Sequence, residues 1–441
     1  MKKSNSPTLD RRDFLKYAAL SAASFTMGCA VNPVTGEMQL MLVSKEQEIQ
    51  IDRQHSPHQF SADYGFIQDK KISRYVSQVG QNLVAHTHRK DMPYAFHCVN
   101  ANYVNAYAFP GGSIAATRGI LLSLENEAEL AALMGHELGH VNARHGAEQL
   151  TSSQITSAIV SGAAILAQSQ KESYGAIVSG LGALGSGLLL AKYSRDNERE
   201  ADKLGLSYMV KANYGPSGFI GLMDMLRDLS SHKPGLIEVM FASHPMSDER
   251  YASAQSRLKS EYADKQKQPI FRERYMDNIA SLRAIKTTIE KTQEAEMHMA
   301  KKNYSEAEKD LSLALKKAPS DYTALMVMSK CKLVQKKHGD ARRYAQKAHK
   351  AYPSEPQASH LLGMANIGLK RFDDAYQNFK QYENRLSGNP NTIFYKGYSL
   401  ENMGQKKMAA ENYTSFLKQV KQGEQAKYAY SQLVKWGYVK Q

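Results

Sequence analysis

The chain is organised around residues 132–140, which read ALMGHELGH and place two histidines four residues apart in a helical pattern. One turn of an α-helix brings positions i and i+4 onto the same face, so His136 and His140 can direct imidazole nitrogens at one cation. Glu137 would lie beside that cation, where its carboxylate can take a proton from an attacking water and pass it to a leaving amide nitrogen. Because short HExxH matches also occur by chance, the interpretation depends on the rest of the chain.

A third metal ligand is expected in residues 193–202, YSRDNEREAD, a second charged helical stretch about sixty residues further on. Glu198 and Asp202 are again at i and i+4. One of these carboxylates can therefore complete the metal shell while the other orients a ligand histidine. From the residues alone, Glu200 is the alternative third ligand.

Two further segments accompany these motifs. Residues 105–112, NAYAFPGG, combine a short apolar strand with a Pro-Gly-Gly turn and predict an edge with unpaired backbone groups; an ordinary hairpin is the alternative. Residues 243–245, SHP, carry a histidine whose backbone Pro245 restricts to an extended geometry. We hypothesise that His244 either stabilises an oxyanion or occupies the open metal position in a resting state. A surface histidine is the alternative.

The four motifs, in this order, resemble the gluzincin family that contains the CAAX prenyl proteases and related soluble periplasmic peptidases. The resemblance spans roughly residues 31–255. It implies that His136, His140 and Glu198 bind one zinc ion per chain, with Glu137 as the general base. It favours Glu198 over Glu200 because the family motif places the ligand four residues before the aspartate, here Asp202.

The same resemblance assigns a substrate strand. It implies that an edge strand holds an extended polypeptide over the metal by main-chain hydrogen bonds, formed by Asn105, Ala106, Tyr107, Ala108 and Phe109. Recognition through the main chain would make the specificity loose.

The first 29 residues are similar to an export signal rather than to a structural element. Arg11 and Arg12 resemble a twin-arginine motif, and the apolar run that follows is too short to span a bilayer as a helix. The run ends at TMGC, which resembles the lipobox of bacterial lipoproteins and predicts that Cys29 is lipidated. We therefore expect a periplasmic protein of a Gram-negative bacterium, attached to the outer membrane.

The two remaining cysteines, Cys98 and Cys331, lie in different predicted domains. In an oxidising compartment they could form a disulfide between these domains. Two separate buried thiols are the alternative that we favour, because nothing in the sequence places them within bridging distance.

Residues 155–167 and 176–191 are rich in Ala, Gly, Ser and Leu. The second run is shorter than the roughly twenty residues needed to cross a membrane, and its glycines weaken a helix. We interpret the two runs as hydrophobic helices that form a movable lid over the active site. Contact with a membrane is the alternative.

The C-terminal third of the chain repeats every 34 residues, as shown by Ala307, Ala341, Ala375 and Ala409. Four residues after each alanine the chain has Leu311, Ala345, Phe379 and Tyr413, and twelve before it Ala295, Ser329, Gly363 and Gly397. This pattern resembles the tetratricopeptide repeat, a helix-turn-helix unit that stacks into a solenoid with a polypeptide-binding concave face. Several tyrosines could line that face or the core: Tyr376, Tyr382, Tyr395, Tyr398 and Tyr413.

The sequence therefore predicts an α+β protein, mostly α, in which a gluzincin-type zinc peptidase domain with a small sheet precedes an α-helical solenoid. Its predicted parts are an export signal, the peptidase domain, a helical linker and the repeat domain, at residues 1–29, 30–255, 256–290 and 291–441. Most of the net charge of +14 lies in the repeats. We interpret it as lysine-rich solvated helix faces; a surface for an acidic partner or for an anionic membrane is the alternative. We expect no nucleic acid partner, because the chain is exported and has no evident base-stacking motif.

The layout is similar to that of periplasmic peptidases of the same family that act on outer-membrane proteins. This similarity implies a zinc metalloendopeptidase that degrades unfolded or misassembled outer-membrane and periplasmic polypeptides. The repeats would dock with the outer-membrane barrel-assembly machinery. The alternative is a chaperone-like assembly factor in which proteolysis is latent.

Overall fold

The computed structural model describes residues 29–160, 192–232 and 234–439. The predicted export signal, except for the backbone of Cys29, lies outside these residues, as does the predicted lid beyond residue 160. Among the helices that are described, none is both long and apolar enough to cross a membrane.

Two small sheets and a set of helices form the part of the chain before residue 272. The strands are β1 (Cys29–Val31), β2 (Met38–Leu40), β3 (Ala95–Val99), β4 (Ala106–Ala108) and β5 (Ser113–Thr117). The helices are α1 (Lys45–Ala62), α2 (Lys70–Val84), α3 (Arg118–Ser123), α4 (Glu127–Asn142), α5 (His145–Val160), α6 (Arg195–Lys211), α7 (Ser217–His232), α8 (Pro234–Ser243) and α9 (Asp248–Lys259).

Helices make up the rest of the chain. They are α10 (Arg272–Asn278), α11 (Ala280–Ala284), α12 (Lys286–Ala300), α13 (Tyr304–Lys317), α14 (Tyr322–Val334), α15 (His338–Ala351), α16 (Gln357–Gly368), α17 (Phe372–Arg385), α18 (Pro390–Asn402), α19 (Lys406–Gln419) and α20 (Glu424–Lys435). The predicted fold class, α+β and mostly α, is confirmed.

The three-stranded sheet has the order β3-β5-β4. Strands β3 and β5 are parallel, with Ala95 opposite Ser113, whereas β4 and β5 are antiparallel, with Ala106 opposite Ala116. Strand β4 therefore lies at the edge of the sheet, where the sequence predicted an edge strand. Its outer side pairs with no other strand among the described residues.

Helix α4 is buried along its whole length, and its closest neighbour is α6. The two helices touch through their backbones: a Cβ on Gly135 would lie 2.9 Å from the carbonyl oxygen of Gly205, and one on Gly139 would lie 2.8 Å from that of Ala201. Any larger side chain at Gly135 or Gly139 would force the helices apart. The small residues thus bring the HELGH and EREAD segments face to face.

The repeats appear as four pairs of helices, α12–α13, α14–α15, α16–α17 and α18–α19, followed by α20. The alanines that define the period are all fully buried: Ala307, Ala341, Ala375 and Ala409. The turn inside each pair also repeats, because a residue in the left-handed conformation recurs at the same interval, at Lys302, Lys336, Lys370 and Gly404. The sequence period therefore corresponds to a repeating backbone turn as well as to a repeating core position.

The tyrosines of the last two repeats divide between the core and its margin. Tyr382 and Tyr413 are buried, which places them in the core, and Tyr376, Tyr395 and Tyr398 are half-buried. Cys98 and Cys331 are separate, buried, free thiols. The expectation of two thiols rather than a disulfide is therefore confirmed.

The repeats also contact the N-terminal part of the chain directly. Arg118, at the start of α3, forms two hydrogen bonds of 2.7 and 3.0 Å with Asp321, and both side chains are buried. Thr323 donates to the backbone of Asn100 at 2.9 Å, on the same side of the repeats. These hydrogen bonds tie the first turn of α14 to the loops around the sheet.

Glycine and aromatic residues compensate for each other within the repeats. A Cβ on Gly363 would lie 2.6 Å from the Phe379 ring, whereas the first repeat has Ala295 and Leu311 at the same two positions. We predict that Gly363→Ala lowers the free energy of unfolding by about 1–3 kcal/mol through overpacking. Adding Phe379→Leu should recover part of that loss in urea unfolding. A double variant whose loss equals the sum of the two single losses would contradict this pairing.

Glu355 predicts a pH dependence of stability. Its carboxylate is buried between the repeats and α1, where it accepts a 2.5 Å hydrogen bond from Ser61, and burial raises its pKa from 4.5 to about 7. The folded protein thus keeps a proton that the unfolded chain releases, so stability falls as pH rises from about 4.5 to about 7. The shift corresponds to roughly 3 kcal/mol at most.

We expect Glu355→Gln to remove this part of the pH dependence and to be the more stable protein at neutral pH. The measurement is the difference in urea-unfolding free energy between wild type and variant across that pH interval. Glu411→Gln, at an exposed position in the same domain, is the control. A difference that stays constant with pH would show that Glu355 does not titrate there.

Candidate active site

The two histidines of the HELGH segment face each other on α4. Asn126 begins this helix by accepting a hydrogen bond from the backbone of Glu129. One turn separates His136 from His140, and their Nε2 atoms lie 3.1 Å apart. Both rings are buried, and burial lowers the pKa of His140 well below its usual value. Burial thus favours the neutral form of the His140 ring, which is the form that binds a metal.

Helix α6 supplies the carboxylate that meets this pair. Ser194 and Asn197 form a capping box at its first turn, which fixes where the helix begins. Glu198 follows directly, and its carboxylate oxygens lie 3.3 Å from His140 Nε2 and 3.6 Å from His136 Nε2. The structure therefore brings Glu198, and not Glu200, to the histidine pair.

His244 joins the same cluster from the end of α8. Its Nδ1 lies 3.0 Å from a Glu198 oxygen and 3.3 Å from His136 Nε2, and the ring is buried. The candidate ligand atoms of His136, His140, Glu198 and His244 all lie within 4.8 Å of one another. The surface position that was the alternative for His244 is thus wrong.

The residues present fit a metal ion. Three imidazole nitrogens and one carboxylate converge on a single point, which is a donor set typical of zinc. Glu137 lies next to this point and is 1% exposed, yet its Oε1 has no hydrogen-bond partner; the nearest cationic candidate, His244 Nε2, is 3.9 Å away. Burial raises the pKa of Glu137. An unpartnered carboxylate of raised pKa beside a cation site is suited to accept a proton.

Asp202 and Arg250 support the ligands from behind. Asp202 lies 2.9 Å from Nδ1 of His136, where the sequence placed a carboxylate that orients a ligand histidine. Arg250 donates two hydrogen bonds of 2.7 Å to Asp202, and one of its nitrogens lies 2.6 Å from Glu198. The guanidinium therefore compensates two buried carboxylates at once.

Two aromatic neighbours of His140 were not predicted. The ring of Tyr193 stacks on it with centroids 3.9 Å apart, and His145 Nδ1 lies 2.9 Å from His140 Nδ1. Arg144, whose φ is +63°, ends the helical path of α4, and His145 starts α5 beside His140. Residues five apart do not share a face of an α-helix, so helical periodicity could not predict that His145 contacts His140.

The predicted substrate strand is brought to the same region. Strand β4 packs against α4, and Asn105 and Phe109 flank it. The Tyr107 hydroxyl donates a 2.6 Å hydrogen bond to Asp63. Of the five residues, only Ala108 is less than fully buried, so substrate contact would rely on the backbone edge rather than on side chains.

An apolar pocket opens beside His136 and His244. It is lined by side chains of α7 and α8, namely Phe219, Leu222, Met223, Leu226, Met240 and Phe241. The cluster thus has a polar side, formed by the ligands and Arg250, and an apolar side.

Comparison with known proteins identifies the domain that carries this cluster. Residues 70–258 match the model of peptidase family M48. This range contains all four residues of the cluster. Residues 70–258 are therefore similar to an M48 peptidase domain. The predicted resemblance to this family of metallopeptidases is thereby confirmed, and a metal cofactor is implied.

Two Escherichia coli proteins are similar to part of this chain. The β-barrel assembly-enhancing protease is 28% identical over 195 residues, which are 43% of this chain and 40% of that protein. Metalloprotease YcaL is 29% identical over 200 residues, 45% of this chain and 72% of that protein. The chain thus spans about two fifths of the length of the first of these relatives.

Among solved structures, MamA from Desulfovibrio magneticus is similar with a TM-score of 0.29 and 18% identity. The similarity covers 39% of this chain and 96% of that one.

The position of His244 leads to a prediction. Removing one of four converging groups in His244→Ala should weaken zinc binding, and it should speed cleavage of an unfolded protein because the position becomes free for substrate. Competition with a chelator measures the affinity, and casein cleavage measures the rate. His232→Ala, at an exposed histidine of α7, is the control.

Unaltered affinity and rate in His244→Ala would exclude an active-site role. A lower rate at unaltered affinity would instead assign His244 to oxyanion stabilisation.

Proposed function

We propose that this protein is an exported zinc-dependent metalloendopeptidase that degrades unfolded or misassembled outer-membrane and periplasmic proteins. The observation that supports it most is the convergence of His136, His140 and Glu198 beside the unpartnered carboxylate of Glu137. A donor set of this kind with an adjacent proton acceptor is suited to hydrolysis of an amide.

The substrate is an extended polypeptide in this proposal. Strand β4 ends the sheet, and an added strand can pair with its outer edge through main-chain hydrogen bonds. Only an unfolded segment offers such a strand. The apolar side chains of α7 and α8 beside His136 and His244 offer a surface against which an apolar side chain of the substrate would pack.

The chemistry is divided among few residues. His136, His140 and Glu198 would hold the zinc ion, which supplies Lewis-acid polarisation of the scissile carbonyl when bound. Glu137 takes the proton of the attacking water and passes it to the leaving nitrogen. Asp202 and Arg250 keep the ligands oriented during this transfer.

The site of action is inferred from the sequence signals and from the relatives. Residues 1–29 would direct export, Cys29 would carry a lipid, and the protein would face the periplasm from the outer membrane. A relative named β-barrel assembly-enhancing protease supports an envelope location. In the proposed layout the peptidase domain spans 30–255, a linker 256–290 and the repeats 291–441, which would dock with the barrel-assembly machinery.

A docking or chaperone role with latent proteolysis is the second candidate. The observation that favours it is the position of His244, whose Nδ1 lies within the ligand cluster and could close the site at rest. In that case the repeats would provide the main function.

Glu137→Gln distinguishes these functions. The substitution keeps size and removes the proton acceptor, so we expect zinc content to stay normal and casein cleavage to fall by about 10²–10⁴-fold. Cleavage at the wild-type rate would show that Glu137 is not the base. Lost cleavage combined with an intact outer membrane in cells would favour the docking role.

A further inference from the structure

On the side of its ring that faces away from the cluster, His140 begins a chain of hydrogen bonds to residues that are not metal ligands. Its Nδ1 lies 2.9 Å from Nδ1 of His145, and Nε2 of His145 lies 3.2 Å from a carboxylate oxygen of Glu200. His145 is 2% exposed. Glu200, which the metal does not need as a ligand, is thus connected to the metal site through two imidazoles.

The acceptor at the outer end fixes the direction of these hydrogen bonds. A carboxylate only accepts, so the proton on Nε2 of His145 points to Glu200. When the His145 ring is neutral, its other nitrogen is an acceptor, and Nδ1 of His145 accepts a hydrogen bond from the N–H at Nδ1 of His140. The lone pair of His140 is left on Nε2, which is the atom that faces His136 and Glu198.

His136 is arranged in the same way by a different acid. Its Nδ1 faces Asp202 at 2.9 Å, so its proton points away from the cluster and its Nε2 lone pair points into it. Each ligand histidine of α4 thus has its own carboxylate on α6. Asp202 acts directly, whereas Glu200 acts through His145.

We propose that Glu200 and His145 are positioning residues that fix the tautomer and ring orientation of His140 for metal binding. The three acids of the EREAD segment then have three separate roles: Glu198 binds the metal, Asp202 orients His136, and Glu200 orients His140 through His145. This inference rests on the proposed metal site.

A structural role for His145 is the competing explanation, because the ring is buried and packs near Tyr193. Two substitutions separate the explanations. His145→Phe keeps a ring of similar size and removes the acceptor, whereas His145→Asn loses ring volume but places an amide oxygen near the position of Nδ1. If His145 acts through packing, the phenylalanine variant should bind zinc better than the asparagine variant. If it acts through the hydrogen bond to His140, the asparagine variant should bind zinc better.

The readout is zinc affinity, measured by competition with a chromophoric chelator, together with the unfolding free energy of the metal-free protein. We expect His145→Phe to bind zinc about 10–100-fold more weakly than wild type, the usual effect of losing such a partner. His145→Asn should retain most of the affinity. If His145→Phe is folded and binds as tightly as wild type, or if the asparagine variant is as weak as the phenylalanine variant, the proposal is wrong.

Glu200→Gln tests the outer end of the chain. A glutamine can donate as well as accept, so it no longer enforces one direction, and affinity should fall by a smaller factor than in His145→Phe. The matched control is Glu148→Gln, because Glu148 is an exposed acid of α5 that contacts Asn197 and no ligand histidine. If Glu200→Gln and Glu148→Gln bind zinc with equal affinity, Glu200 is not a positioning residue for His140.

One further variant separates this inference from the proposed function. Glu198→Gln should lose zinc binding if the metal site is correct. Wild-type affinity in Glu198→Gln would overturn the site itself. Lost binding in Glu198→Gln together with normal binding in His145→Phe would overturn the positioning role alone.

Discussion

The close approach of α4 and α6 is the constraint on which the site depends. Gly135 and Gly139 on one helix meet Gly205 and Ala201 on the other, so the two backbones touch. At this separation the carboxylate of Glu198, in the first turn of α6, lies close to the imidazoles of His136 and His140 on α4. A single added methyl at the crossing would therefore push apart the two helices that carry the ligands.

Two adjacent residues that follow α1, Asp63 and Tyr64, contact the edge strand and the repeats respectively. Asp63 accepts from Tyr107 of β4 at 2.6 Å and from Tyr103 at 2.7 Å. The next residue, Tyr64, has the nitrogen of Lys330 from α14 3.1 Å from its hydroxyl and 4.5 Å from its ring centroid. The repeats are thus connected to the proposed substrate strand indirectly, through the adjacent residues Asp63 and Tyr64.

Sequence periodicity predicted those features that depend on local spacing. The i, i+4 pair of histidines and the 34-residue alanine period both became buried faces, as expected from helix geometry. Local spacing does not decide between Glu198 and Glu200 as the metal ligand. Side chains two residues apart on a helix point in nearly opposite directions, so only the position of α4 shows which of them faces the histidines. His145 and Tyr193 reach His140 through a chain reversal and a packing contact, which have no period to detect.

The central claim is that one cation is bound by groups from α4 and α6, and anomalous diffraction at the zinc absorption edge tests it most directly. The account predicts one peak per chain, about 2.0–2.2 Å from Nε2 of His136, Nε2 of His140 and a carboxylate oxygen of Glu198. A zinc peak at Glu200, or crystals grown with zinc that show no peak at α4, would contradict it.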